Sequence, residues 1–378
     1  MPNLPTPRLA ALILAAGYAS RMGRSKALLP LAGQPTVARL VSSFRAAGIT
    51  AITVVTGHGG EQLAPLLGAL EVSNVPNPNF SQGMYSSIQA GLRALPAEVE
   101  ACFLLPVDIP LLRPATITAL AAHYAASRPL LLYPTFCGER GHPPLLGRTL
   151  FAEILAGSGE GGLAALLQKH EAAADDLAVC DEGILLDMDT PADYARLAEL
   201  ARHRHVPSPA ECEAMLDNQG VGVAVRRHSR AVAALATSIA ERLASGGTPI
   251  DIDLVRAGGL LHDIAKGQPA HAAAGQAMVA GLGYAELGKV IGQHMDFDFA
   301  RGGLSAAAIV FLADKLLQED RRVSLASRFA PAFRRFADDP AALYGAHCKY
   351  QSACAIADAI AAQCGLTLDQ AEDEPVSA

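Results

Sequence analysis

Short apolar runs alternate with helix-length amphipathic segments from Arg8 to about Leu200, and then the alternation stops. "RLAALILAAG", "AITVVTG", "ACFLLPVD", "PLLLYPTF" and "GILLDMD" read as short buried strands ended by Gly, Asp or Pro. Between them, "TVARLVSSFRAAG" and "PATITALAAHYAA" carry helical spacing. Such alternation implies a largely parallel sheet with helices on both faces, because parallel neighbours need crossover connections. In sheets of this kind ligands bind outside the carboxyl ends of the strands.

Around "ARHRHVPSPAECEA" the texture changes. Pro207 and Pro209 within a basic, polar run predict a linker followed by a short helix. From about Val221 strand signals disappear. "VRRHSRAVAALATSIAERL" places Val225, His228, Val232, Leu235, Ile239 and Leu243 on one helical stripe. "IDLVRAGGLLHDIAK", "SAAAIVFLADKLLQ" and "YQSACAIADAIAAQCG" also read as helices. The expected organisation is an α/β domain over 1–200, a linker over 201–222, an all-α domain over 223–366 and an acidic tail over 367–378. A chain of 378 residues has the length for two domains, and no internal repeat is visible.

The chain is acidic, with a formal net charge of −7, which excludes a general nucleic-acid binder with its basic face. Seven cysteines, an odd number with no C-x-x-C pair, read as reduced thiols of a cytoplasmic protein. "MPNLPTPR" lacks the pattern of a signal peptide, and the longest apolar runs are too short to span a bilayer. No membrane partner is expected.

Against that acidic background, "LILAAGYASRMGRSKALLPLAGQP" gathers Arg21, Arg24 and Lys26 on a glycine-rich loop directly after the first strand. Gly17 and Gly23 let the backbone approach a ligand closely, and freed N–H groups form an anion nest. Arg21 and Lys26 add a planar fork and a point charge. The combination points to a small anionic ligand such as a triphosphate. A triphosphate brings Mg²⁺, which prefers carboxylate oxygens. Asp108 in "FLLPVDIP" and Asp187 and Asp189 in "LLDMDTPADY" end apolar runs and supply them. Asp189 reads equally well as a helix N-cap.

These segments, with "VTGH", "NPNFSQGMYSSIQAGL" and "GERGHPPLLGRTLF", resemble the molybdenum cofactor cytidylyltransferase family, a branch of the Rossmann-like nucleotidyltransferases. The resemblance runs in order through nearly all of residues 8 to 200. It implies transfer of CMP from CTP to molybdopterin with release of pyrophosphate, with CTP or another NTP and a molybdopterin-type acceptor as ligands. It also implies a molybdenum hydroxylase apoenzyme or its chaperone as a partner. On this resemblance Ala15, Ala16 and Gly17 hold base and ribose, Arg21 and Lys26 neutralise the triphosphate, and Asp108 and Asp189 hold Mg²⁺. Gly83 and Ser87 lie near the nucleotide or pterin, and His142 near the acceptor. Ala19 departs from the family's usual Ser, and Ser20 is the available substitute hydroxyl. Guanylyl-transferring relatives look alike, and a sugar or alcohol phosphate is an alternative acceptor.

The helical half carries polar residues where its helices are otherwise apolar. His228 lies in the stripe above, His262 and Asp263 are adjacent in "GLLHDIAKG", and Asp314 interrupts "IVFLADKLL". Burying such groups is costly unless they pair or bind a metal. Their order, His, then His-Asp, then Asp, resembles the HD phosphohydrolase superfamily over roughly residues 221 to 365. That resemblance implies one or two transition metals, with His271 and His294 as ligands of a second. Mixed His/Asp ligation suits Mn, Fe, Ni or Zn. Lys266 is the expected phosphate contact. The alternative is a non-catalytic metal-binding module that regulates or docks. His203, His205 and His347 fit neither site and are expected on the surface.

Overall fold

The computed structural model describes residues 6–18, 24–366 and 368. Arg21, Ala19, Ser20 and Gly23, and all of the acidic tail but Leu368, lie outside the described residues. Two compact units divide the chain, Met1–Arg204 and His205–Ala378.

The first unit is built on one sheet whose path runs 174–178, 131–136, 145–147, 101–106, 9–15, 51–56 and 73–76. All neighbours along it are parallel except 145–147, which is antiparallel to both of its own. The central strand Leu9–Ala15 is buried almost throughout because helices cover both faces. Side chains alternate across it. Leu12, Leu14, Cys102 and Leu104 share a core with Ile88 and Leu92 of the helix Met84–Ala94. Phe103, one residue out of step, meets Phe44 of the helix Thr36–Ala46, ring centroids 5.7 Å apart. This is the mostly parallel α/β sheet expected.

The expected strand "GILLDMD" does not form. Glu182–Leu185 is a 3-10 turn, and residues 186–189 run outside the sheet. Burial alternates there as in a strand, with Leu186 and Met188 packed into a small cluster with Leu29, Leu31 and Leu197. No ladder forms, because the buried Asp181 organises the segment instead. Its carboxylate accepts from the N–H groups of Gly183 and Arg113 and from the Thr116 hydroxyl. A Cβ on Gly183 would lie 2.3 Å from the Leu111 carbonyl oxygen, so the turn requires glycine. The last strand is instead Ala174–Ala178, "ADDLA", whose acidic pair hides its strand character.

The second unit is helical apart from a two-residue hairpin, Leu317–Gln318 with Arg321–Arg322. Its core gathers Val232, Leu235, Ile239 and Leu243 of the helix Val223–Ser245 with residues of Ala306–Lys315 and Pro340–Cys364. Within 201–222, the segment Pro209–Asn218 is a helix with a Ser208/Glu211 capping box and buries Cys212, Met215 and Leu216. The seven cysteines are free thiols. No helix among the described residues is long and apolar enough to cross a membrane.

Candidate functional sites

In the first unit the parallel strands Leu9–Ala15 and Ala101–Pro106 deliver their carboxyl ends to one cavity of about 450 Å³. Ala15, Ala16, Gly17, Lys26, Gly83, Ser87, Asp108 and Asp189, eight residues marked by the sequence, all line it. Leu9–Ala15 runs straight into the first three, and Ala101–Pro106 ends two residues before Asp108. A Cβ on Gly17 would meet nothing within 4 Å, so its missing side chain leaves open space rather than relieving a clash. Gly83 starts the helix Met84–Ala94 with φ +98°, a conformation that favours glycine. Ser87 is held from beneath, its hydroxyl 3.0 Å from the side-chain amide of the buried Asn77.

Lys26 opens a short 3-10 turn and places its ammonium 3.0 Å from Asp108 Oδ2 and 2.7 Å from Asp189 Oδ1. Burial opposes the charge on Lys26, but the hydrogen bonds and charges of the two carboxylates outweigh it and hold its pKa above the ordinary lysine value. Asp189 is not the helix cap. Thr190 caps the helix Pro191–His203 through a capping box with Asp193, which leaves the Asp189 carboxylate to Lys26. Asp187 is exposed and, like Arg24, does not line the cavity. His142 lies outside the lining as well, and burial holds its imidazole below the usual histidine pKa despite Asp108. Two convergent carboxylates with hard oxygens facing a cavity are a donor set that fits Mg²⁺.

Sequence reading passed over the aromatic wall of this cavity. Tyr18 stands 5.2 Å from Phe80 and 5.3 Å from His58, centroid to centroid, and is 55% exposed. Met84 beside them is 60% exposed. Gly57 allows this packing, because a Cβ there would lie 2.6 Å from Ala16 O and 2.8 Å from Phe80 Cβ.

In the second unit His228, His262, Asp263, His271, His294 and Asp314 converge. The atoms fall into two groups compatible with a metal ion, His228–His262–Asp263 and Asp263–His271–His294, which share Asp263. Asp314 joins the first, 3.0 Å from His228 Nε2 and 3.8 Å from His262 Nε2. His271 Nε2 and His294 Nε2 stand 3.3 and 3.5 Å from Asp263 Oδ1. His262 and His294 sit at helix C-termini, and their Nδ1 atoms reach the carbonyls of Gly259 at 2.8 Å and Ile291 at 2.7 Å. His228 Nδ1 reaches the Glu319 carbonyl in the same way, at 2.5 Å. A carbonyl only accepts, so Nδ1 carries the proton in all three rings. When neutral, the rings of His262 and His294 therefore turn an Nε2 lone pair inward, whereas His228 Nε2 faces the Asp314 carboxylate at 3.0 Å.

The electrostatics differ between the rings. Burial pushes His262 down to about 4, although Asp314 and Asp263 resist. Burial likewise lowers His228, but hydrogen bonds to Asp314 and the Glu319 carbonyl outweigh it and hold this imidazole above the usual value. Asp263 is held well below the carboxylate range by His294, His262 and Lys266 against its burial, and Asp314 by Lys315 and His228. His262 Nε2 and Asp263 Oδ1 are buried without a hydrogen-bond partner among the described residues. Orphaned buried atoms cost about 1–3 kcal/mol each. A metal ion bound by a lone pair and a carboxylate oxygen removes both deficits, so these residues fit one.

Lys266 follows in the turn after its helix and pairs with Asp263 at 2.9 Å. Lys315, unmarked by the sequence reading, is buried and pairs with Asp314 at 2.5 Å. His203, His205 and His347 are exposed, the last stacked on Phe333.

Comparison with known proteins matches residues 11–174 to a family model described as a MobA-like NTP transferase domain and residues 225–319 to one described as an HD domain. A molybdenum cofactor cytidylyltransferase from Escherichia coli is 28% identical over 191 residues, covering 50% of this chain and 94% of that protein. The bifunctional protein GlmU of Trichlorobacter lovleyi is 36% identical over 120 residues, 31% of this chain, which spans only 26% of the relative's length. Among solved structures, Rv0371c from Mycobacterium tuberculosis H37Rv is similar over 51% of this chain and 99% of its own, with 25% identity and a TM-score of 0.46.

Proposed function

The chain joins a MobA-like NTP transferase domain to an HD domain, and from that premise we propose a two-centre enzyme: a molybdenum cofactor cytidylyltransferase with a metal-dependent phosphohydrolase. One observation carries the first half. The described residues among those expected to hold a nucleotide or its metal, Ala15, Ala16, Gly17, Lys26, Gly83, Ser87, Asp108 and Asp189, line a single cavity at the carboxyl ends of parallel strands. The Escherichia coli relative, matched over 94% of its length, supports cytidylyl transfer and a molybdopterin-type acceptor. Tyr18 and Phe80, which line the cavity, are suited to stack on a planar heteroaromatic ring, the nucleobase or a pterin.

Ala15, Ala16 and Gly17 bring backbone rather than side chain to base and ribose. Lys26, with Arg21, offsets the triphosphate charge. Asp108 and Asp189 hold Mg²⁺, which when bound supplies Lewis-acid stabilisation of phosphate charge. An acceptor phosphate oxygen attacks the α-phosphorus in line, the bond to the β-phosphate oxygen breaks, and pyrophosphate leaves. The protein contributes position and fixed charge, not a nucleophile. Nothing in the fold supports an apoenzyme or its chaperone as a partner.

In the helical half, His228, His262, Asp263 and Asp314 form one ligand set and Asp263, His271 and His294 a second, for Mn, Fe, Ni or Zn. Such a metal, when bound, supplies Lewis acidity to water and phosphate. The backbone carbonyls fix the imidazole tautomers, and the two lysines hold the carboxylates ionised.

The deciding experiment incubates the protein with molybdopterin and labelled CTP, GTP or ATP and reads pyrophosphate release. CTP is expected to be turned over fastest. Turnover only with a sugar phosphate as acceptor would overturn the molybdopterin assignment.

A further inference from the structure

A cavity of about 390 Å³ opens onto His228, Asp263, His294 and Asp314, and four cationic side chains line it: Arg227, Lys266, Lys315 and Arg328. Three of them have carboxylate partners. Arg227 pairs with Asp320 at 3.1 Å, Lys266 with Asp263 at 2.9 Å and Lys315 with Asp314 at 2.5 Å. Arg328 differs. Among the described residues its Nε is buried with no hydrogen-bond partner. It sits in the first turn of the helix Leu325–Arg335, between the buried Leu325 and Phe329, which anchor that turn in the core. A guanidinium does not lose its proton, so partial burial without a counter-charge is costly. An anion bound in this cavity would supply the partner that the described residues do not give its Nε.

The carboxylates now paired with Lys266 and Lys315 are the ones assigned to the metals. With those carboxylates committed to metal ions, both ammonium groups face the same cavity with their charge less compensated. Arg328, Lys266 and Lys315 then present one fork and two point charges to a single anion. Val225, Met295 and Leu317 supply apolar lining for whatever is attached to it.

We propose that Arg328, with Lys315 and Lys266, forms an anion subsite beside the HD centre that takes the terminal phosphate of a phosphomonoester. This rests on the reading of the helical half as a phosphohydrolase, but phosphate binding is measurable without turnover. The full-length protein, reconstituted with Mn²⁺, is titrated with inorganic phosphate by calorimetry. Losing one charge-assisted Arg–phosphate contact is expected to weaken binding by roughly 10-fold or more in Arg328→Ala. Arg328→Lys is expected to recover part of the loss, and Arg301→Ala, an exposed arginine elsewhere, to change nothing. Metal content stays equal in all of them, which separates loss of the subsite from loss of the metal centre. Arg328→Gln replaces Arg328→Ala if the latter does not fold. Equal phosphate affinity in wild type and the Arg328 variants, or no phosphate binding by wild type, overturns the subsite. If wild type binds phosphate through Arg328 yet hydrolyses no phosphomonoester such as p-nitrophenyl phosphate, the subsite stands and the hydrolase reading falls.

Discussion

The two polar centres handle charge in opposite ways. At the strand ends, the carboxylates Asp108 and Asp189 share the ammonium of Lys26, and each of the three side chains keeps some exposure. Among the helices, Asp263 and Asp314 face imidazole nitrogens, and two buried atoms, His262 Nε2 and Asp263 Oδ1, have no hydrogen-bond partner among the described residues. Two carboxylates against one ammonium leave the first centre with surplus negative charge, which suits a metal that arrives with a nucleotide and leaves with pyrophosphate. The second, on the function proposed above, is completed by a resident ion. Loops at strand ends make exchangeable sites because water reaches them. Helix termini packed in a core make permanent ones, because an unpaired atom there is held dry.

The sharpest break of this comparison is Asp263→Ala. Asp263 belongs to both histidine groups, so its loss is expected to empty the helical half of metal by elemental analysis and abolish any phosphoester hydrolysis. Nucleotidyl transfer should continue. Retained metal would mean that the carboxylate is only a hydrogen-bonding partner. Next in size, Lys26→Ala should lower transfer by about 10²-fold or more, comparable to removing one preorganised donor. Its circular dichroism should match wild type, since Lys26 lies on a loop turn. Undiminished turnover would remove the triphosphate from this cavity.

His271→Ala sharpens the second centre alone. His271 contributes only to the group with His294, so the metal-to-protein ratio should fall by about half if two ions bind and stay unchanged if one does. Smaller still is the effect of chelation. Removing a bound ion withdraws its linkage energy from the unit that holds it. A chelator should therefore lower the thermal midpoint of the helical unit by a few degrees and leave that of the α/β unit where it was. Equal shifts in both would contradict the contrast between exchangeable and resident metal.

Much of this was readable in advance, and the exceptions have physical causes. Lys26 and Asp108 were legible because a basic glycine-rich loop and a carboxylate each followed an apolar strand. His262 and Asp263 were legible because two polar residues side by side in an apolar stretch demand a partner. "GILLDMD" misled because burial alternates along it as in a strand, while the buried Asp181 supplies hydrogen bonds that replace a ladder. Lys315 stayed hidden because a lysine near the end of a helix is commonplace in sequence, and only packing shows that it is buried against Asp314. Arg328 and the Tyr18–His58–Phe80 wall stayed hidden for the same reason, since nothing in their local sequence records which distant chain they approach.

The central claim is that one chain carries two chemically independent centres. It is tested most directly by pyrophosphate release from CTP in the presence of molybdopterin, measured side by side for wild type, Asp108→Asn and Asp263→Ala. The account predicts that Asp108→Asn abolishes release and that Asp263→Ala retains the wild-type rate. Loss of release in both variants would contradict it, and so would undiminished release in Asp108→Asn.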